Sequence, residues 1–192
     1  MTTLLFATNN QNKIDEIQSA IGDKLKVIGL KEAGIDIDIP EPHDTLEKNA
    51  AEKSSVIFSL TGISCFSEDT GLEVNALNGE PGVCSARYAG GRSAEENIDK
   101  LLHNLKDKTD KKARFKTVIS LIWKSKEYLF EGICEGTITD TCRGSSGFGY
   151  DPVFIPEGST KTFGEMDMNE KNRYSHRKKA AGQMVVFLQS VS

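Results

Sequence analysis

The sequence predicts a mixed-sheet α/β domain, and three observations carry that expectation. Short apolar runs of strand length alternate with segments of helical period. Two extended runs in the second half lie close enough to form a long hairpin. The 192 residues suit one domain, with little room for a second. A chain of this length buries most of its apolar surface without disulfide or metal staples. Apolar residues at 38% and charged residues at 27% are ordinary globular values, which excludes a disordered or fibrous chain.

The elements follow in order. Residues 2–8 are an apolar run stopping at Asn9-Asn10, a buried strand. Asn10 or Asn12 then caps a helix with Ile14, Ile17 and Ile21 on one face. Residues 26–30 are a second strand. Residues 35–39 are ambiguous, and Pro40-Glu41-Pro42 enforces an extended or turn segment. Asp44 or Thr45 opens a helix reaching about Leu60, with Leu46, Ala50 and Ile57 inward. Residues 64–67 are a strand that ends at Glu68-Asp69-Thr70-Gly71. The Gly- and Pro-rich stretch 78–92 reads as an ordered loop. Ser93-x-x-Glu96 is a capping box before a helix with Ile98, Leu101, Leu102 and Leu105 in one stripe. Residues 114–123 and 128–139 form the antiparallel pair, turning through 124–127. Residues 143–149 are a loop with three glycines, and a last helix starting near Ser175 buries Ala180, Ala181, Met184 and Leu188.

The 24 Lys and Arg against 28 Asp and Glu give a net charge of −4, which argues against sequence-independent nucleic-acid binding but not against a small anion in a local basic pocket. None of Cys65, Cys84, Cys134 and Cys142 forms a C-x-x-C pair, and three of the four read as small core residues. With no secretory leader pattern, the expectation is a reducing, intracellular compartment. No apolar run approaches the roughly 20 residues of a membrane helix.

Five segments carry candidate chemistry. At Thr8-Asn9-Asn10-Gln11-Asn12-Lys13 a strand gives way to a helix start with a lysine in its first turn, which suits an anion or is an ordinary cap. It lacks the glycines of a P-loop. Glu68-Asp69-Thr70-Gly71 offers two adjacent carboxylates that suit a hard cation or the activation of a water, or else close the strand in an Asx-turn. Glu41 sits on a stiff Pro-flanked segment, and His43 beside it reads as a loop histidine. Gly147-Phe148-Gly149-Tyr150-Asp151-Pro152 is a turn whose rings either stack on a base or pack into the core. Residues 171–179 hold five Lys or Arg and one His in an acidic protein, and Lys178 and Lys179 read as a solvated helix face. Two anion-binding segments, an acidic corner and an aromatic turn together indicate a nucleoside polyphosphate enzyme.

The same residues resemble the inosine/xanthosine triphosphate pyrophosphatase family over nearly the whole chain. The match rests on Thr8-x-Asn10-x-x-Lys13, Asn49-Ala50-x-x-Lys53, Glu68-Asp69-Thr70-Gly71-Leu72, Gly79-x-Pro81-Gly82-x-x-Ser85-Ala86-Arg87-Tyr88-Ala89-Gly90, Ala113-Arg114-Phe115, the Gly147 to Pro152 turn and Lys171-x-x-x-Ser175-His176-Arg177. The resemblance implies Mg²⁺-dependent hydrolysis of ITP, dITP and XTP to the monophosphate and pyrophosphate. It implies an elongated mixed sheet with helices, in two lobes around a central substrate cleft, and a cytoplasmic homodimer with no nucleic-acid or membrane partner. By the same resemblance Asp69 is the catalytic residue and, with Glu41 and Glu68 as a substitute, a metal ligand. Thr8, Asn9, Asn10, Gln11, Asn12, Lys13 and Lys53 hold the triphosphate, and Thr70 touches substrate. Phe148, Gly149, Tyr150, Asp151, Lys171, His176 and Arg177 form the base pocket. Many family members carry glycine where this chain has Asn9. Asparagine tolerates positive φ, so the turn is expected to survive.

Overall fold

The computed structural model describes residues 3–191, which form two compact units sharing a discontinuous chain. Among the described residues the first comprises 3–69, 117–132 and 177–191, and the second 70–116 and 133–176. Thr2, the expected start of the first strand, lies outside the described residues; within them β1 spans Thr3–Phe6. The other strands are β2 (Lys26–Gly29), β3 (Cys65–Val74), β4 (Pro81–Gly82), β5 (Lys112–Trp123), β6 (Lys126–Ile138) and β7 (Phe154–Pro156). The helices are α1 (Gln11–Ile21), α2 (Leu46–Thr61), α3 (Ala94–Leu105), α4 (Met168–Lys171) and α5 (His176–Ser190). The strands hydrogen-bond in the order β2-β1-β3-β5-β6-β7, with β4 on β3. β1 runs parallel to β2 and β3, whereas β4 and β7 are antiparallel additions, so the mixed-sheet expectation stands.

In the first unit the two-residue period of a strand sorts the core. Leu4 and Phe6 of β1 face α1 and α5, joining Ile17, Ile21, Phe66, Ala180, Ala181, Met184 and Leu188. Leu5 and Ala7 face the other way, joining Ile57 and Cys65, with Ile35, Ile37, Ile39 and Phe58 packed against them. Burial on both faces explains why β1 reads as a continuous apolar run rather than an alternating one. The ambiguous stretch 35–39 is irregular chain that lends its three isoleucines to this second face. Asn10 and Thr45 cap α1 and α2 by accepting from the N–H groups of Lys13 and Lys48.

The second unit packs Ile98, Leu101 and Leu105 of α3 with Phe115, Phe154 and Phe163. Ser93 caps α3 as the spacing requires, accepting from the Glu96 N–H. Asn97 bonds the Ala89 N–H and the Ala86 carbonyl, which fixes the 79–91 loop against the helix.

Three details correct the sequence reading. β3 does not stop before Glu68 but runs through Gly71 to Val74. Gly71 supplies clearance rather than a bend, because a Cβ there would lie 2.7 Å from the Gly82 carbonyl oxygen of β4. Of the three cysteines expected inside, two are buried, Cys65 and Cys134, while Cys84 and Cys142 are exposed.

Candidate functional site

Glu68 and Asp69 are consecutive residues of a strand, so their side chains leave opposite faces of the sheet. Phe66 points toward α1 and α5, and Glu68 follows it two residues later. Cys65 and Ser67 point toward α2, where the Ser67 hydroxyl bonds the Ala50 carbonyl at 2.5 Å, and Asp69 follows them. The two carboxylates therefore do not form the adjacent pair that the sequence suggested. Each anchors its own cluster, and both clusters lie within the first unit.

Glu68 is fully enclosed among cations. Its Oε2 accepts from Arg177 Nε at 2.8 Å, and its Oε1 accepts from Arg177 Nη2 at 3.2 Å and from the Lys13 ammonium at 2.7 Å. Arg177 Nη1 donates to Glu16 Oε2. Arg177 and Glu16 are 2% and 4% exposed, so three buried side chains and the half-buried Lys13 make a four-member ion network. Burial would raise the Glu68 pKa, but Arg177 and Lys13 outweigh it and hold the carboxyl well below its ordinary range. Burial likewise pulls against the Arg177 charge, and Glu68 and Glu16 overcome it.

Asp69 meets a different partner. The Lys53 ammonium of α2 donates to Asp69 Oδ1 at 3.2 Å and to Glu41 Oε1 at 2.6 Å. Asn49 explains how a residue of the Pro-rich loop reaches this point. Its amide accepts from the His43 N–H at 2.9 Å and donates to the His43 carbonyl at 3.1 Å, tying the loop to α2 two residues beyond Glu41. Burial raises the Asp69 pKa; Lys53 and Lys13 offset it only in part, and Glu41 adds to it. Burial opposes the Lys53 charge, but Asp69 and Glu41 outweigh it and raise its pKa. The donor set fits a hard divalent cation: two carboxylates from different segments converge on one positive charge. Mg²⁺ takes one or two carboxylates and completes its shell with phosphate oxygens and water. Among the described residues no group of three or more His, Cys, Asp or Glu could hold a metal ion by itself.

The Thr8–Lys13 segment runs from the end of β1 into the first turn of α1. Thr8 Oγ1 accepts from the Asn10 N–H at 3.2 Å, and Asn10 Oδ1 accepts from the Lys13 N–H at 3.3 Å. Asn9, Asn10, Gln11 and Asn12 are exposed at the helix start, where an anion meets N–H groups and a partial positive charge. Asn9 does not adopt the positive φ that its glycine-like position suggested. Its side-chain oxygen instead accepts from the Lys31 N–H at 3.1 Å, joining this turn to the one after β2.

The base-pocket candidates other than Arg177 lie in the second unit, as does half-buried Thr70. Asp151 Oδ2 accepts from the Phe148 N–H at 2.9 Å and from the Lys171 ammonium at 2.5 Å. That ammonium lies 5.5 Å from the centroid of the Phe148 ring and 5.1 Å from that of Phe163. Gly147, at φ +74°, gives the Asp151 carboxylate room that any Cβ would take. Half-buried Gly149 has φ +59°. Of the two aromatic candidates in this turn, Phe148 is half-buried. Tyr150 is buried, and its hydroxyl donates to the Ser85 carbonyl at 2.9 Å. His176 is buried and stacks on Phe115 at 4.7 Å. Lys178 and Lys179 are exposed.

Sequence reasoning missed Glu16. Its signal was its spacing, since residues three apart share a helix face and Glu16 therefore lies beside Lys13.

The sequence model of the Ham1 family matches residues 4–187. A Porphyromonas gingivalis protein named dITP/XTP pyrophosphatase is 50% identical over 190 residues, covering 98% of each chain. A Flavobacterium johnsoniae protein of the same name is 48% identical over 186 residues, 96% of this chain and 97% of its own. The solved Staphylococcus aureus Ham1 protein superposes with a TM-score of 0.88 at 39% identity, covering 100% of both chains.

Proposed function

The chain belongs to the Ham1 family, and from that premise we propose that it hydrolyses non-canonical purine nucleoside triphosphates (ITP, dITP and XTP) to the monophosphate and pyrophosphate, cleansing the nucleotide pool. The observation that carries the reading is the convergence of Glu41 and Asp69 on Lys53, one strand residue from a Glu68 that holds Lys13. It combines carboxylates for a cation and a water with ammonium groups for phosphates.

Glu41 and Asp69 would hold a magnesium ion, which when bound neutralises triphosphate charge and orients the attacking water. The residues do the rest. A carboxylate oxygen of Asp69 accepts the proton of the water as its oxygen attacks the α-phosphorus. The bond from that phosphorus to the bridging oxygen breaks, and pyrophosphate leaves with the electron pair. Lys13 and Lys53 stabilise the charge that develops on it. Thr8 and residues 9–12 offer hydroxyl, amide and helix N–H donors to the phosphates.

For base choice the family resemblance points to Phe148, which supplies a ring face, and to Lys171, Asp151 and His176, which supply polar groups. Hypoxanthine and xanthine present a 6-oxo acceptor where adenine presents an amino donor. A donor aimed at that oxygen is left unpaired by adenine, and such mismatches discriminate strongly. Arg177, held by two glutamates, serves by fixing Glu68 and through it Lys13. The family resemblance extends the reading to a cytoplasmic homodimer, which sedimentation and cell fractionation test.

The test of the chemistry is product analysis of ITP turnover in ¹⁸O-labelled water. The reading expects IMP and pyrophosphate, with the label in IMP. Label in pyrophosphate, or release of IDP and orthophosphate, would refute it.

A further inference from the structure

Lys53 occupies an unusual place for a phosphate-binding lysine. It is 6% exposed, and its ammonium is bonded to one oxygen each of Glu41 and Asp69. Those are the two carboxylates that the functional reading gives to a divalent cation. A divalent cation bound to either oxygen of these carboxylates would lie within about 5 Å of the ammonium, and two positive charges that close repel strongly away from bulk water. We infer that Lys53 is an internal counterion that competes with the cation for Glu41 and Asp69, and that phosphate relieves the competition by giving the displaced ammonium a new partner.

The arrangement serves two ends. The ammonium keeps two carboxylates from repelling each other, so that they stay converged in a largely buried place. It also makes cation and triphosphate binding mutually reinforcing, because each removes an obstacle to the other. Metal alone therefore binds weakly, and the site assembles fully only around the nucleotide. The inference rests on Glu41 and Asp69 being the cation's ligands, and it makes Lys53 a positioning residue for the metal as well as a phosphate contact.

The experiment is a titration of Mn²⁺ alone, without nucleotide, into the wild-type protein and the Lys53→Met and Lys53→Gln variants by calorimetry. Circular dichroism first checks their fold. The expected result is Mn²⁺ binding tighter by about tenfold or more in the folded variants, lost again when Asp69→Asn is added. Their melting temperatures should also rise more on adding Mn²⁺ than the wild type's does. A lysine that merely supported the fold would give no gain in affinity. Unchanged or weaker binding in a folded variant overturns the inference. ITP turnover by the wild type without that gain would overturn the role of Lys53 and leave the activity standing. The gain without wild-type turnover would uphold the role and overturn the activity.

Discussion

Arg177→Ala removes the cation that holds two buried carboxylates. Glu68 has a fully enclosed side chain, and Glu16 is 4% exposed. Removing one partner of a buried ion pair costs about 3–5 kcal/mol, because the uncompensated charge remains inside. At about 2–4 °C per kcal/mol for a chain of this size, the melting temperature should fall by roughly 6–20 °C. Arg177→Met, which fills much of the space but carries no charge, should fall nearly as far. Adding Glu16→Gln and Glu68→Gln to it should recover much of the loss.

The pH dependence separates this cause from lost packing. The Glu68 pKa is held below its ordinary 4.5, so its contribution is complete above that value and lost as pH falls toward the folded pKa. In the variant the stranded carboxylates instead prefer to be protonated. The deficit, measured by urea unfolding under circular dichroism, should be widest at about pH 7–8 and shrink toward about pH 4–5. A deficit below about 1 kcal/mol, typical of an exposed pair, would refute the reasoning. So would a deficit independent of pH.

Other changes probe the remaining parts. Asp69→Asn should lower ITP turnover by about 10²–10⁴-fold while leaving the melting temperature unchanged or higher, because burial already penalises that charge in the fold. A parallel loss of stability would contradict it. Asn49→Ala should cost about 1–3 kcal/mol and weaken Mg²⁺ activation, since Glu41 loses the tie that places its loop; a calorimetric and kinetic comparison checks both. Gly147→Ala should lower kcat/KM for ITP, because its Cβ collides with the Asp151 carboxylate and strains a positive-φ position. Unaltered kinetics would separate that loop from base recognition.

Much of this was legible in the sequence, and the gaps have physical reasons. Period and caps located α1, α2, α3 and α5, because an apolar stripe behind Asn10, Thr45 or Ser93 is a local signal. β3 was cut short because two acids inside a strand read as its end; they are tolerated only through Arg177, Lys13 and Lys53, which no local pattern reveals. The sequence suggests a four-residue hairpin turn over 124–127. The observed turn is the dipeptide Lys124-Ser125, at φ 50° and 64°, where Asn or Gly is the usual signal. β4 and β7, of two and three residues, lack a period to detect. The candidate residues stand out by type and motif, but the partners that the structure gives them do not. Arg177 and Glu16 are 161 positions apart, and only the packing of α1 and α5 on one sheet face brings them together.

The central claim is a substrate class joined to a metal-assisted carboxylate site. The most direct measurement is pyrophosphate release from ITP, dITP, XTP, GTP, ATP and dTTP with Mg²⁺, beside the same assay in EDTA. The account predicts rapid release from ITP, dITP and XTP, little from the others, and none in EDTA. Release mainly from GTP or dTTP would contradict the base assignment, and undiminished release in EDTA would contradict the role of Glu41 and Asp69.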